Sequence, residues 1–173
     1  MKQLRPRLKS ACGHLPLAVA ALTLHARAAE LPAPIAAPDN VPVVTLHAEG
    51  AQIYQCRAGG DGKLGWTFRE PIATLIADGK TVGRHYAGPN WEHADGSDVT
   101  GKVAGSSPGG TEGDIAWLKL EVVGRRGAGV FADVVTVQRI NTSGGALSGA
   151  CTQAGALRSV PYSADYVFLR KGG

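Results

Sequence analysis

The sequence predicts an all-β protein: a single-domain antiparallel β-sandwich or flattened barrel holding one disulfide. Three observations carry this expectation. Charged residues make up only 18% of the chain while glycine contributes 24 residues, a composition that favours short strands and tight turns over long solvated helices. Several runs alternate apolar and polar side chains or are rich in β-branched types, as half-buried strands require. Asp-Gly, Gly-Gly and Gly-Pro signals punctuate those runs.

The first element is not part of that domain. Lys2, Arg5, Arg7 and Lys9 precede an apolar run from Leu15 to Leu24, and Ala26-Arg27-Ala28 supplies small residues for cleavage. Residues 1–28 therefore predict a signal peptide cut near Ala28 or Ala29, because the run is shorter than the ~20 apolar residues that span a bilayer. Cys12 precedes the run and so is not placed as a lipoprotein cysteine. Removing the leader changes the charge. The chain has 18 basic and 14 acidic residues, and the leader holds five of the basic ones and none of the acidic ones, leaving 13 against 14. Neither nucleic acid nor an anionic membrane is an expected partner, since both demand clustered Lys and Arg. No stable membrane insertion is expected, and the localisation is extracytoplasmic, either periplasmic or secreted.

Export leaves two cysteines, Cys56 and Cys151. One pair in an oxidising compartment is expected to bridge. Neither sits in a Cys-x-x-Cys or Cys-x-x-His spacing, so zinc is not favoured.

Residues 29–42 form a Pro-rich, extended lead-in, as Pro32, Pro34, Pro38 and Pro42 exclude a continuous helix or a central strand. The β domain is expected over 43–171. Val43–Leu46 and Ala51–Arg57 read as strand, and Leu64–Arg69 returns after a Gly-rich turn. Pro71–Asp78 fits a strand or one helical turn. Asp78-Gly79 turns the chain into Thr81–Ala87, and Gly88-Pro89 ends that strand. Asp95-Gly96 predicts a type I′ hairpin, with both central residues at positive φ. Asp98–Val103 follows, then a flexible loop over Gly105–Gly113. Ile115–Val123 is the clearest strand, with Ala116, Leu118, Leu120 and Val122 on one face. Val130–Ile140 and Ala164–Arg170 complete the set. No glycine-rich loop joins a strand to a helix, so a dinucleotide fold is excluded and no cofactor is expected.

The reactive side chains concentrate in His85–Val99, "HYAGPNWEHADGSDV". His85, Tyr86, Trp91, Glu92, Asp95 and Asp98 form a candidate binding cleft, in which aromatic faces and carboxylates together suit a small polar ligand such as a saccharide. The same run also serves two turns, and Trp91 fits a core position. A hydrolytic or metal-dependent secreted enzyme using His85 and a nearby acid is the rival reading. Yet the seven residues between His85 and His93 match no strong metal template, and no Gly-x-Ser-x-Gly elbow is present. An envelope-associated structural protein without a small-molecule site is a third reading. Elsewhere, Arg139 ends an apolar strand, and burial there would call for a carboxylate, with Asp133 and Asp165 as candidates. Asn141-Thr142-Ser143 is a glycosylation sequon.

Six phrases together carry a resemblance: GAQIYQC, WTFREPIATL, GRHYAGPNWEHADGSDV, IAWLKL, VQRINTSGG and VPYSADYVF. In order and spacing they resemble the DUF3455 family of exported bacterial and fungal proteins, over about Val41–Phe168. The resemblance implies an extracytoplasmic single domain with Cys56 and Cys151 in family positions. It implies no activity, the family being one of unknown function, and it transfers no catalytic residue.

Overall fold

A computed structural model describes residues 30–173. The expected leader, its cleavage point and Cys12 lie outside the described residues. Eight antiparallel strands form one sheet: β1 (Asn40–Ala58), β2 (Leu64–Ala77), β3 (Lys80–Tyr86), β4 (Asn90–His93), β5 (Asp98–Ser107), β6 (Trp117–Arg126), β7 (Thr136–Gly144) and β8 (Leu157–Lys171). Each strand pairs with the next, and β1 also pairs with β8 along most of its length, from Asn40↔Lys171 to Gln55↔Leu157. Of the two architectures the sequence allowed, the closed barrel is the one formed. Closure pairs the first strand with the last, while β2 before Ala73 and β5 after Thr100 run past the short β3–β4 hairpin.

Alternation sorts the side chains. Leu46, Ala48, Leu75, Trp91, Val99, Leu120, Val137, Tyr166 and Phe168 fill the interior, each large one contributing about 1.5–3 kcal/mol by leaving water. Arg84, Glu92, Lys119 and Glu121 take the alternate positions and point outward. Gly101 faces inward, where a Cβ would come within 3.1 Å of the Trp91 indole. The small residue therefore makes room for the large one. Charged side chains outside and apolar ones inside invert the pattern of a lipid-embedded barrel. Among the described residues no helix is long and apolar enough to cross a membrane.

Several local expectations change. Pro71–Ala77 continues β2 as strand. The type I′ turn forms at Asp78-Gly79, whose φ values are 49° and 71°. At Asp95-Gly96 only Gly96 is at positive φ, 86°. Gly96 N–H donates to His93 O at 3.0 Å and His93 N–H to Ser97 O at 2.9 Å. This is the three-residue loop in which a type I turn precedes a left-handed glycine. Asp95 keeps a negative φ because its carboxylate is engaged in Asx-type bonds to Ser97. Val130–Val135 is not strand; it leaves the sheet, and β7 starts at Thr136. The Gly105–Gly113 loop is shorter than expected, since β5 runs to Ser107 and Asp114 clamps the rest through Thr111 and Gly144.

The Pro-rich lead-in is extended except for a 3-10 turn at Ala33–Ile35. It lies as a strap across the outside of β5, β6 and β7. Gln138 donates to Ile35 O at 2.6 Å and Lys119 to Ala36 O at 3.1 Å. Ile35 is fully buried beneath it. The disulfide joins Cys56 to Cys151, 95 positions apart with Cα atoms at 5.9 Å, and so ties the end of β1 to the β7–β8 loop.

Candidate functional site

The two ends of the barrel differ. At one end the β6–β7 loop folds back and inserts Phe131 and Val134, both fully buried. Phe131 stacks on Phe168 with centroids 4.2 Å apart and meets the His93 ring edge-on at 5.7 Å. Asp95 pins this plug by accepting from Val130 N–H at 2.7 Å, while Ser97 Oγ accepts from Phe131 N–H. Burial alone would raise the Asp95 pKa. Hydrogen bonds from the Ser97 hydroxyl, Val130 N–H and Ser97 N–H outweigh it and hold the carboxyl well below the usual range. Asp95 is therefore a clamp for the closed end.

The opposite end is open. A cavity of about 200 Å³ enters the barrel there, with walls that include Phe68, Val103, Leu118, His85, Trp91 and Tyr166. An adjoining recess of about 600 Å³ shares Gln52, Phe68, Val103, Leu118 and Arg139 with it. Phe68 and Val103 are about half exposed although their positions face the lumen. They are apolar surface left open at the mouth.

His85 and Trp91 pair across β3 and β4. Their rings stack with centroids 4.5 Å apart and planes 5° from parallel. Tyr166 meets both edge-on, at 5.0 and 5.4 Å. His85 Nδ1 lies 2.8 Å from Asn90 O and so carries its proton there, leaving Nε2 as an acceptor. Burial pushes the His85 pKa down to about 3. The Asn90 carbonyl opposes that shift without overcoming it, and the Arg139 charge adds to it. His85 is thus neutral at pH 7 and a poor general base. Burial likewise raises the phenol pKa values of Tyr54, Tyr162 and Tyr166.

Arg139 and Arg69 are the two arginines of the cavity wall. Arg139 stands opposite Leu118 and Tyr166 in the sheet, on the inward set of β7. Neither Asp133 nor Asp165 meets it: Asp165 pairs with His47 at 2.8 Å and accepts from Asn141, because its position on β8 faces outward. Instead Arg139 Nε and Nη2 both donate to Ala116 O, at 3.0 and 2.8 Å. Among the described residues no carboxylate lies within ion-pair distance of it. Two further donors of the cavity wall, Gln52 Nε2 and Trp91 Nε1, are buried and have no hydrogen-bond partner. A buried polar group without a partner costs about 1–3 kcal/mol.

The other residues of the expected cleft lie elsewhere. Tyr86 and Glu92 occupy the outer face of β3 and β4, one residue out of phase with His85 and Trp91, and Asp98 lies beside Glu92 on the outer face of β5. There Arg84 bonds Glu92 at 2.7 Å and sits over the Tyr86 ring, Tyr86 OH donates to Glu92 at 3.3 Å, and Arg126 holds Asp98 at 2.8 Å. The bond from Arg84 holds the Glu92 carboxyl below its usual range. The six residues therefore divide into a lumenal pair, an outer trio and Asp95 at the closed end. His85 and His93 are separated in the same way, and the described residues contain no group of three or more His, Cys, Asp or Glu side chains able to hold a metal.

Sequence reasoning missed Gln52, Tyr166 and the lumenal role of Arg139. The available signal was a basic residue in phase with the apolar side chains of β7, and it was read as half of an ion pair.

No curated protein and no solved structure matches the chain. One family model does, over residues 37–170, and its description is a protein of unknown function. That match takes in all eight strands up to Arg170 and both Cys56 and Cys151, and it makes the chain a member of the DUF3455 family.

Proposed function

We propose that the protein is an extracytoplasmic binding module that takes a small, single-ring-sized polar molecule into the open end of its barrel. One observation carries this reading: an open cavity with a mostly apolar wall enters the barrel beside the polar side chains of Gln52 and Arg139. Such a wall takes a small molecule with an apolar body and few polar atoms. At about 200 Å³ the inner cavity is below the ~300 Å³ where drug-sized pockets begin, which limits the occupant's size. The apolar walls and few polar points match the usual make-up of small-molecule sites. A saccharide is less well suited, as its many hydroxyls would face Phe68, Pro71, Val103 and Leu118. The disulfide supports the extracytoplasmic setting.

The test uses a neutral probe, benzyl alcohol, followed by proton–nitrogen NMR at the Trp91 indole N–H. The expected result is a saturable shift at Trp91 that disappears in Val103→Trp, which fills the mouth from an exposed position. A shift that never saturates, or one unchanged by Val103→Trp, would refute the binding reading.

A further inference from the structure

The donors around the cavity are unbalanced in a way that names a ligand class. An arginine has five N–H donors in a rigid fork. Arg139 spends its Nε/Nη2 edge on Ala116 O, and this fixes the plane of the guanidinium. The Nη1/Nη2 end meets no carboxylate among the described residues, and the neutral Tyr166 phenol lies beside the guanidinium. Gln52 lines the same cavity, is 2% exposed, and has its Nε2 donor unmet. Arg69, the other cation of the wall, is already paired with Glu70 at 3.1 Å. The acids lining the adjoining recess are Asp114 and Glu112. Asp114 is fully engaged by Thr111 and Gly144.

Resting on the binding role proposed above, we infer that the barrel mouth selects a small planar monocarboxylate. Its carboxylate seats on the Nη1/Nη2 end of Arg139, beside Gln52. Its flat apolar body lies among Trp91, Phe68 and Leu118. A single free guanidinium edge matches the two oxygens of one carboxylate. A phosphate dianion would leave charge unmet, because no second free cation lines the inner cavity among the described residues. The surrounding phenols and His85 are held neutral, so no anion of the inner cavity wall competes for Arg139, and the low polarity strengthens the pairing.

The probes are benzoate and its neutral isostere benzamide, titrated against the whole protein and read at the Trp91 indole N–H and by calorimetry. Benzoate is expected to bind at least about tenfold tighter, with a preference that weakens as salt is raised. Arg139→Gln should remove the preference. Because that change also releases Ala116 O, circular dichroism checks its fold. Arg139→Lys and Gln52→Leu serve beside it, and each should raise the benzoate Kd severalfold, by a larger factor than it raises that of benzamide. Equal binding of the two probes at Trp91, or a preference that survives both Arg139→Gln and high salt, overturns the charge assignment while the binding role stands. Benzoate that never saturates at Trp91 also overturns it, and the benzyl alcohol titration then shows whether the binding role falls too.

Discussion

His85 shows how a single buried group couples this protein to pH. The free side chain titrates near 6.5, and burial brings it to about 3 in the fold. The unfolded chain therefore binds a proton that the folded one refuses. The resulting stability is complete above pH ~6.5 and is lost as pH falls toward ~3, at up to about 1.4 kcal/mol per pH unit. Urea midpoints of the wild type are expected to drop between pH 7 and pH 4.5. His85→Phe, which keeps a ring against Trp91 but cannot take up a proton, should start lower and fall less steeply. Parallel curves for the two proteins would assign the acid sensitivity elsewhere. At this scale the sequence was partly legible. The richness of His85–Val99 was visible, and so were its two turns. Which of its side chains face one another was not, because a shift of one residue across Gly88-Pro89 exchanges the lumen for the surface. Arg139 stood out as a basic residue among apolar neighbours. Its partner, a backbone carbonyl contributed by the β5–β6 loop, leaves no mark in residue identity.

The strands and their bounding turns were the most readable elements, since a period of two is written directly into Trp117–Val123 and Ala164–Arg170. The errors came where another interaction overrode the local pattern. Val130–Val135 has strand composition, yet Phe131 and Val134 gain more burial by plugging the barrel than by pairing. The Pro-rich strap carries no periodicity at all, and only Ile35 betrays that one face is buried. The disulfide acts on the element that is least supported by the sheet. The β7–β8 loop hangs on bonds such as Gly155 N–H to Cys56 O at 2.9 Å and Trp66 N–H to Gly149 O at 3.1 Å. Replacing both Cys56 and Cys151 by Ser should cost about 2–5 kcal/mol in global stability. Hydrogen exchange should quicken first at Gly149–Ala156 and at Trp66, and little at Tyr166 or Phe168. Uniform acceleration throughout the barrel would show that the bridge acts only on the unfolded chain.

The whole molecule depends on a pairing between its two most distant strands. β1 and β8 close the barrel over nearly the full length of both, and that contact forms only after a long loop has been brought together. A chain lacking 157–171 exposes two sheet edges, along β1 and β7, and opens Trp91 to water. It is expected to appear in size-exclusion chromatography as aggregate, with no cooperative thermal transition. A monomeric, cooperatively melting product would mean that seven strands can reclose. The family match extends over this same unit. The barrel itself was within reach of the sequence, but closure was not, because strand count and alternation are shared by sandwiches and barrels and only the β1–β8 register tells them apart.

The Phe131 plug turns the lumen into a cul-de-sac. A molecule that enters must back out along its own path, past Phe68 and Val103, so no gradient can drive it through. Residence time would then be set at the doorway, between the disulfide-stapled β7–β8 loop and the Gly88-Pro89 turn.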